Sequence, residues 1–174
     1  MIKPFVLMVA MAAAAPIAAN QPVPELDLGR YSGSWHEIAH LPMFFQRNCT
    51  GDITATYTSL ANGNIEVRNA CRTGDGSMQS STGEARTVAG RPGALQVRFA
   101  PAWLSWLPMV WADYWVIDLD PAYQWAVVGG PSRKYLWVLS RTPTMPQGLF
   151  EQIRQRAAAR GYPTAKLVMA APLR

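Results

Sequence analysis

Residues 53–72 read Ile-Thr-Ala-Thr-Tyr-Thr-Ser-Leu-Ala-Asn-Gly-Asn-Ile-Glu-Val-Arg-Asn-Ala-Cys-Arg. In an extended chain Ile53, Ala55 and Tyr57 fall on one side and Thr54, Thr56 and Thr58 on the other, the period of two of a half-buried strand. Asn62-Gly63 then supplies a hairpin turn. Beyond it Ile65, Val67, Asn69 and Cys71 share a face opposite the charged Glu66, Arg68 and Arg72, so the stretch is a β-hairpin with one watery side.

The same grammar continues outward. Gly74-Asp75-Gly76 is a turn, a polar strand runs from Met78 to Thr87, and Arg91-Pro92-Gly93 is the next turn before Leu95 to Phe99, with Leu95, Val97 and Phe99 inward. Tyr114–Leu119, Trp125–Gly129 and Tyr135–Ser140 make three further strands, and one opens at Trp35. One helix is predicted from Met145 to Arg160. Thr144 and Gln147 stand at capping-box spacing, Leu149, Ile153 and Ala157 form its apolar stripe, and Gly161 stops it. A last short strand lies around Lys166 to Met169. Eight antiparallel strands with one helix at the end predict an all-β, eight-stranded, up-and-down antiparallel barrel with the helix packed outside.

At 174 residues, 49% of them hydrophobic, the chain holds one domain. The apolar, alanine-rich run after Lys3 reads as a secretory signal peptide of residues 1–19, leaving residues 20–174 as the barrel domain. No cysteine follows that run to take a lipoprotein modification, so the expected product is an exported, periplasmic protein at most peripheral to the outer membrane. In an oxidising compartment the two cysteines, Cys49 and Cys71, are expected to form one disulfide. The hairpin register sets Cys71 across from residue 53 or 54, so Cys49 must bend back near Gly51 to reach it. The formal charge of +5 falls by only one when Lys3 is removed. Its scattered Lys and Arg argue against nucleic acid and suit an anionic lipid surface.

Residues 30–39, Arg-Tyr-Ser-Gly-Ser-Trp-His-Glu-Ile-Ala, resemble the first lipocalin motif. Asp118-Leu-Asp120 with Tyr123 resembles the second, and Leu136-Trp-Val-Leu-Ser-Arg141-Thr-Pro143 the third. Order and spacing agree over nearly all of the mature chain, which is most similar to bacterial outer-membrane lipocalins and apolipoprotein D. The resemblance implies structural roles for Gly33, Trp35 and Arg141, with Trp35 across the closed end of the barrel and Arg141 stacked on it. It also implies that the turns at Asn62-Gly63, Arg91-Pro92-Gly93 and Asp120-Pro121 close one end, and that both cysteines sit at the open one.

Alternation places Ala55, Tyr57, Val67, Asn69, Ser81, Val97, Phe99, Tyr114, Val116, Val128, Tyr135 and Trp137 inside such a barrel as the candidate ligand-binding set. An apolar lining with a few polar tips suits an acyl chain, and the small side chains at Ala55, Ser81, Gly83 and Ala85 leave it room. The loop carrying Trp103, Trp106 and Trp111 is apolar enough to act as a lid or to enter a membrane interface. His36 and His40, four residues apart on a strand, are expected to share a face, outward and more than about 12 Å from each other, too far for one metal ion. No nucleophile motif, cofactor motif or metal spacing appears. The leading expectation is a non-enzymatic carrier of a fatty acid or lysophospholipid in support of the cell envelope, acting as a monomer or weak dimer. The alternatives are a protein-binding or structural module with a filled barrel and an enzyme built on the same frame.

Overall fold

The computed structural model describes residues 19–174. The expected signal peptide therefore lies outside the described residues, except for Ala19. An extended segment leads into a single helical turn, α1 (Leu28–Tyr31), capped by the Asp27 carboxylate, which accepts from the Arg30 amide at 3.1 Å. Eight strands follow: β1 (Gly33–His40), β2 (Cys49–Ser59), β3 (Ile65–Thr73), β4 (Met78–Val88), β5 (Arg91–Arg98), β6 (Ala112–Leu119), β7 (Trp125–Gly129) and β8 (Trp137–Ser140). Each pairs antiparallel with the next, and β1 pairs with both β2 and β8, so the sheet closes on itself. Helix α2 (Gln147–Ala159) packs outside, and β9 (Val168–Met169) pairs with the half of β1 that β2 leaves free. The predicted eight-stranded barrel with one C-terminal helix is the observed architecture.

Closure separates two cores. Between the barrel and α2 lie Ile38, Ala94, Trp115, Ile117, Val127 and Val138 against Phe150, Ile153 and Ala157. Inside the barrel are Trp35, Tyr57, Val67, Leu95, Tyr114, Val116, Val128 and Leu139.

Three local expectations change. The β4–β5 turn falls at Gly90, whose φ of +71° suits glycine, so Arg91, Pro92 and Gly93 belong to β5. Proline is tolerated in the first positions of a strand, where its missing N–H breaks no central ladder bond. Helix α2 starts at Gln147, and Pro146 caps it with no side-chain bond. Thr144 cannot act as the cap because the chain end ties down this segment: the Gln147 amide donates to the Arg174 carbonyl, and the Arg174 amide donates to the Met145 carbonyl. Phe150, rather than Leu149, stands with Ile153 and Ala157 on the buried face, and Leu149 is partly covered.

The bend needed by the cysteines is present. The β2–β3 ladder slips on both sides of Gly51, Asp52 takes a φ of +49°, and Cys49 and Cys71 are joined in a disulfide with 5.5 Å between their Cα atoms.

Candidate ligand-binding lumen

The closed end is built around Trp35. Its ring is fully buried, its Nε1 donates to the Tyr31 carbonyl at 2.8 Å, and the Arg141 guanidinium lies 3.7 Å above its centroid. That guanidinium also donates to the carbonyls of Arg30, Ser32 and Ser34 at 2.6–3.0 Å, binding α1 and the start of β1 to the end of β8. Gly33, at φ +94°, makes the turn between them.

Above Trp35 the lumen is filled by aromatic rings. Tyr31 packs on Trp35 and Tyr57, and Tyr57 on Tyr114, with centroid separations of 5.1–6.1 Å. The Tyr114 hydroxyl bonds to those of Tyr31 and Tyr57 at 2.8 and 2.6 Å. Burial pushes the Tyr57 hydroxyl up to about 12 and those of Tyr31 and Tyr114 well above 10. Val67, Val116 and Val128 are buried among them and retain almost no free surface. The candidate residues Tyr57, Val67, Tyr114, Val116 and Val128 thus form a solid floor, where alternation alone placed them along an open cavity. Tyr31, outside the strands and without an alternation signal, is what completes that floor.

The upper lumen differs. Ala55, Asn69, Val97 and Trp137 are half-buried, Ser81 and Phe99 are exposed, and Tyr135 stands at the rim with its ring stacked on Trp137 at 6.0 Å. Phe99 lies just beyond β5 and folds back over Gly83, where an added Cβ would come within 2.7 Å of its ring and 2.6 Å of the Arg98 carbonyl. A polar cleft of about 480 Å³ opens at the same end, bounded by Arg47, Asn48, Thr50, Thr73, Asp75 and Gln79.

One polar group inside the barrel is absent from the sequence reading. The β1–β8 register shifts between Glu37 and Ala39, so Ile38 and Ala39 both face the outer core, and Glu37 and His40 both face the lumen, opposite Leu139 and Trp137. His36 stays outside, paired with Ser140 and Thr54. The two histidines therefore lie on opposite faces, a correction caused by a β-bulge that strict alternation cannot anticipate. Glu37, 5% exposed, accepts at one oxygen from His40 Nδ1 (2.5 Å) and at the other from Gln46 Nε2 (2.8 Å), and Gln46 Oε1 accepts from Trp137 Nε1 (3.1 Å).

The open end also carries an apolar rim. Phe44, Trp103, Trp106 and Met109 are 73–85% exposed, and Phe45 is half exposed beside Tyr135. Trp111 behaves differently. It packs on the outer wall under Arg86 (4.0 Å) and Arg98 (5.2 Å) and donates to the Ser105 carbonyl, so it anchors the loop and is withdrawn from the surface group that the sequence suggested. Among the described residues, no group of three or more His, Cys, Asp or Glu is placed to hold a metal ion, and no helix is long and apolar enough to cross a membrane.

Comparison with known proteins agrees with this geometry. A family model for the lipocalin-like domain matches residues 26–172. Temperature-induced lipocalin-1 of Arabidopsis thaliana is 39% identical over 145 residues, covering 82% of this chain and 77% of its own. Outer membrane lipoprotein Blc of Escherichia coli K12 is 35% identical over 164 residues (93% and 88%), and mouse apolipoprotein D 31% identical over 159 (85% and 78%). Insecticyanin from the tobacco hornworm Manduca sexta superposes with a TM-score of 0.66 at 19% identity, covering 91% of this chain and 88% of that one, a likeness of fold.

Proposed function

The chain belongs to the lipocalin family, whose members bind small hydrophobic ligands, and from that premise we propose that it carries a single-chain lipid, a fatty acid or lysophospholipid, without chemically changing it. The observation that carries the reading is the division of the barrel: an aromatic floor closes one end, and above it Ala55, Asn69, Ser81, Val97, Phe99 and Trp137 keep free surface toward an open mouth. An acyl chain laid on that wall gains about 0.8 kcal/mol per buried methylene. The apolar rim of Phe44, Phe45, Trp103 and Trp106 supports loading from a membrane surface, since aromatic side chains favour the water–bilayer interface. An envelope location, reached by a cleaved signal peptide, extends the same reading, and the relatives named as outer-membrane lipoproteins support its general placement.

The test is native mass spectrometry of the protein from its producing cell with extraction of bound lipid, followed by displacement of a fluorescent fatty acid. The expected result is one lipid per chain and binding that Val97→Trp and Ser81→Phe weaken at least tenfold while the fold stands. A protein that is always empty and binds no acyl probe overturns the carrier reading in favour of a barrel that serves as a partner-binding module. The filled lower half is what favours that second reading.

A further inference from the structure

Resting on the carrier reading, we infer that Glu37 and His40 form the site for the polar end of the ligand, and that it takes a group that donates hydrogen bonds, a hydroxyl or an ammonium, in preference to a carboxylate, which selects the lysophospholipid over the fatty acid of the two cargoes proposed. The hydrogen-bond chain fixes every orientation. Trp137 Nε1 can only donate, so Gln46 must receive it at Oε1 and turn its amide nitrogen to Glu37. As a carboxylate Glu37 can only accept, so His40 then carries its proton on Nδ1 toward its other oxygen. In the neutral ring this leaves the Nε2 lone pair free, and each Glu37 oxygen retains a second lone pair. Glu37 and the neutral His40 thus present acceptors only, the second N–H of Gln46 Nε2 being the one donor left in the chain.

The surroundings reinforce the choice. No lysine or arginine stands at an inward position of the eight strands: the inward neighbours are Ile53, Ala55 and Tyr57 on β2, Asn69 on β3, and Trp137 and Leu139 on β8. A ligand carboxylate placed here would meet the Glu37 carboxylate in a poorly hydrated wall with no strand lysine or arginine to offset it, Arg47 lying in the polar cleft at the mouth, whereas a hydroxyl or ammonium would complete unfilled acceptors. The stacked Trp137 and Tyr135 rings, with Phe45 5.9 Å from Tyr135, add faces that attract an ammonium at the mouth.

The experiment is competition against a fluorescent acyl probe by dodecanol, dodecylammonium and dodecanoate, on the full-length protein and on Glu37→Gln. The expected result is that the alcohol and the ammonium displace the probe at concentrations about tenfold below the carboxylate, and that Glu37→Gln brings the three within about threefold, with the ammonium losing and the carboxylate gaining. His40→Asn, which keeps a donor where Nδ1 stands and removes Nε2, should weaken the alcohol about fivefold and leave dodecanoate unchanged. Dodecanoate binding as tightly as the other two in the unmodified protein, or an order that survives Glu37→Gln, overturns the assignment while the carrier reading stands. Failure of the probe and all three competitors to bind overturns both.

Discussion

Arg141 spends its donors on backbone carbonyls and its face on an indole. The guanidinium reaches Arg30, Ser32 and Ser34 while lying 3.7 Å from the Trp35 centroid, an arrangement that needs a planar fork and a flat cation together. Lysine keeps the charge and loses both, so Arg141→Lys should lower unfolding stability by about 2 kcal/mol in urea titration. Trp35→Ala should cost about 3–5 kcal/mol, as the loss of a fully buried aromatic side chain, and should leave the Glu37–Gln46 end of the lumen in place. These roles were legible because the family motifs surrounding Trp35 and Arg141 are short and local. Glu37, two residues after the inward Trp35, follows plain alternation and was open to the same reading, whereas His40 was not legible for a physical reason. A single extra residue in β1 reverses which face every later side chain takes, and that insertion is decided by the β8 partner across the sheet, with no composition signal in β1 itself.

Among the elements, β2 and β3 show how local pattern and long-range constraint divide the work. Alternation placed Ile53, Tyr57, Ile65, Val67 and Cys71 on the inner face correctly, and all five are buried. The slip at Gly51 and Asp52 that brings Cys49 to Cys71 needed only the two cysteines and the hairpin register to be foreseen. Reducing this bridge should lower stability by about 3 kcal/mol, read as a shift in the urea midpoint, because it closes a loop of 22 residues in the unfolded chain. Helix α2 was found by its stripe, but its first turn was misplaced because the chain terminus fixes Met145 and Gln147, a contact with no local signal. The aromatic floor was the least legible. It depends on Tyr31, which lies in α1, meeting two tyrosines from separate strands. Its pH dependence has a definite sign. With Tyr57 held to about 12 when folded and near 10 when unfolded, the unfolded chain loses that proton first, so stability is complete below pH 10 and declines as pH rises from 10 through 12. Urea midpoints measured across this window should fall, and Tyr57→Phe should remove part of the decline.

At the scale of the whole molecule, the apolar exposed side chains are distributed unevenly. Phe44, Phe45, Trp103, Trp106 and Met109 come from two loops far apart in sequence, and the barrel's topology brings both loops to its open end. On the proposed carrier reading, hydrophobic side chains left in water at the mouth cost little in folding and become useful when the mouth meets a bilayer, where each large ring regains on the order of 1.5–3 kcal/mol as it leaves water. The positive net charge acts in the same direction on an anionic surface and weakens with salt. Sedimentation with vesicles of anionic and zwitterionic phospholipid should therefore show binding that rises with the anionic fraction and falls between low and physiological salt. Trp103→Ser with Trp106→Ser should reduce it on the order of tenfold to a hundredfold. Trp111→Ser is the informative contrast: its ring is committed to Arg86 and Arg98 on the outer wall, so the change should loosen the loop and lower stability with a much smaller loss of vesicle binding. If all three tryptophans prove equal for binding, the loop does not hold Trp111 against the barrel when it meets the membrane. If none matters, the rim has no part in loading, and the ligand must enter from water.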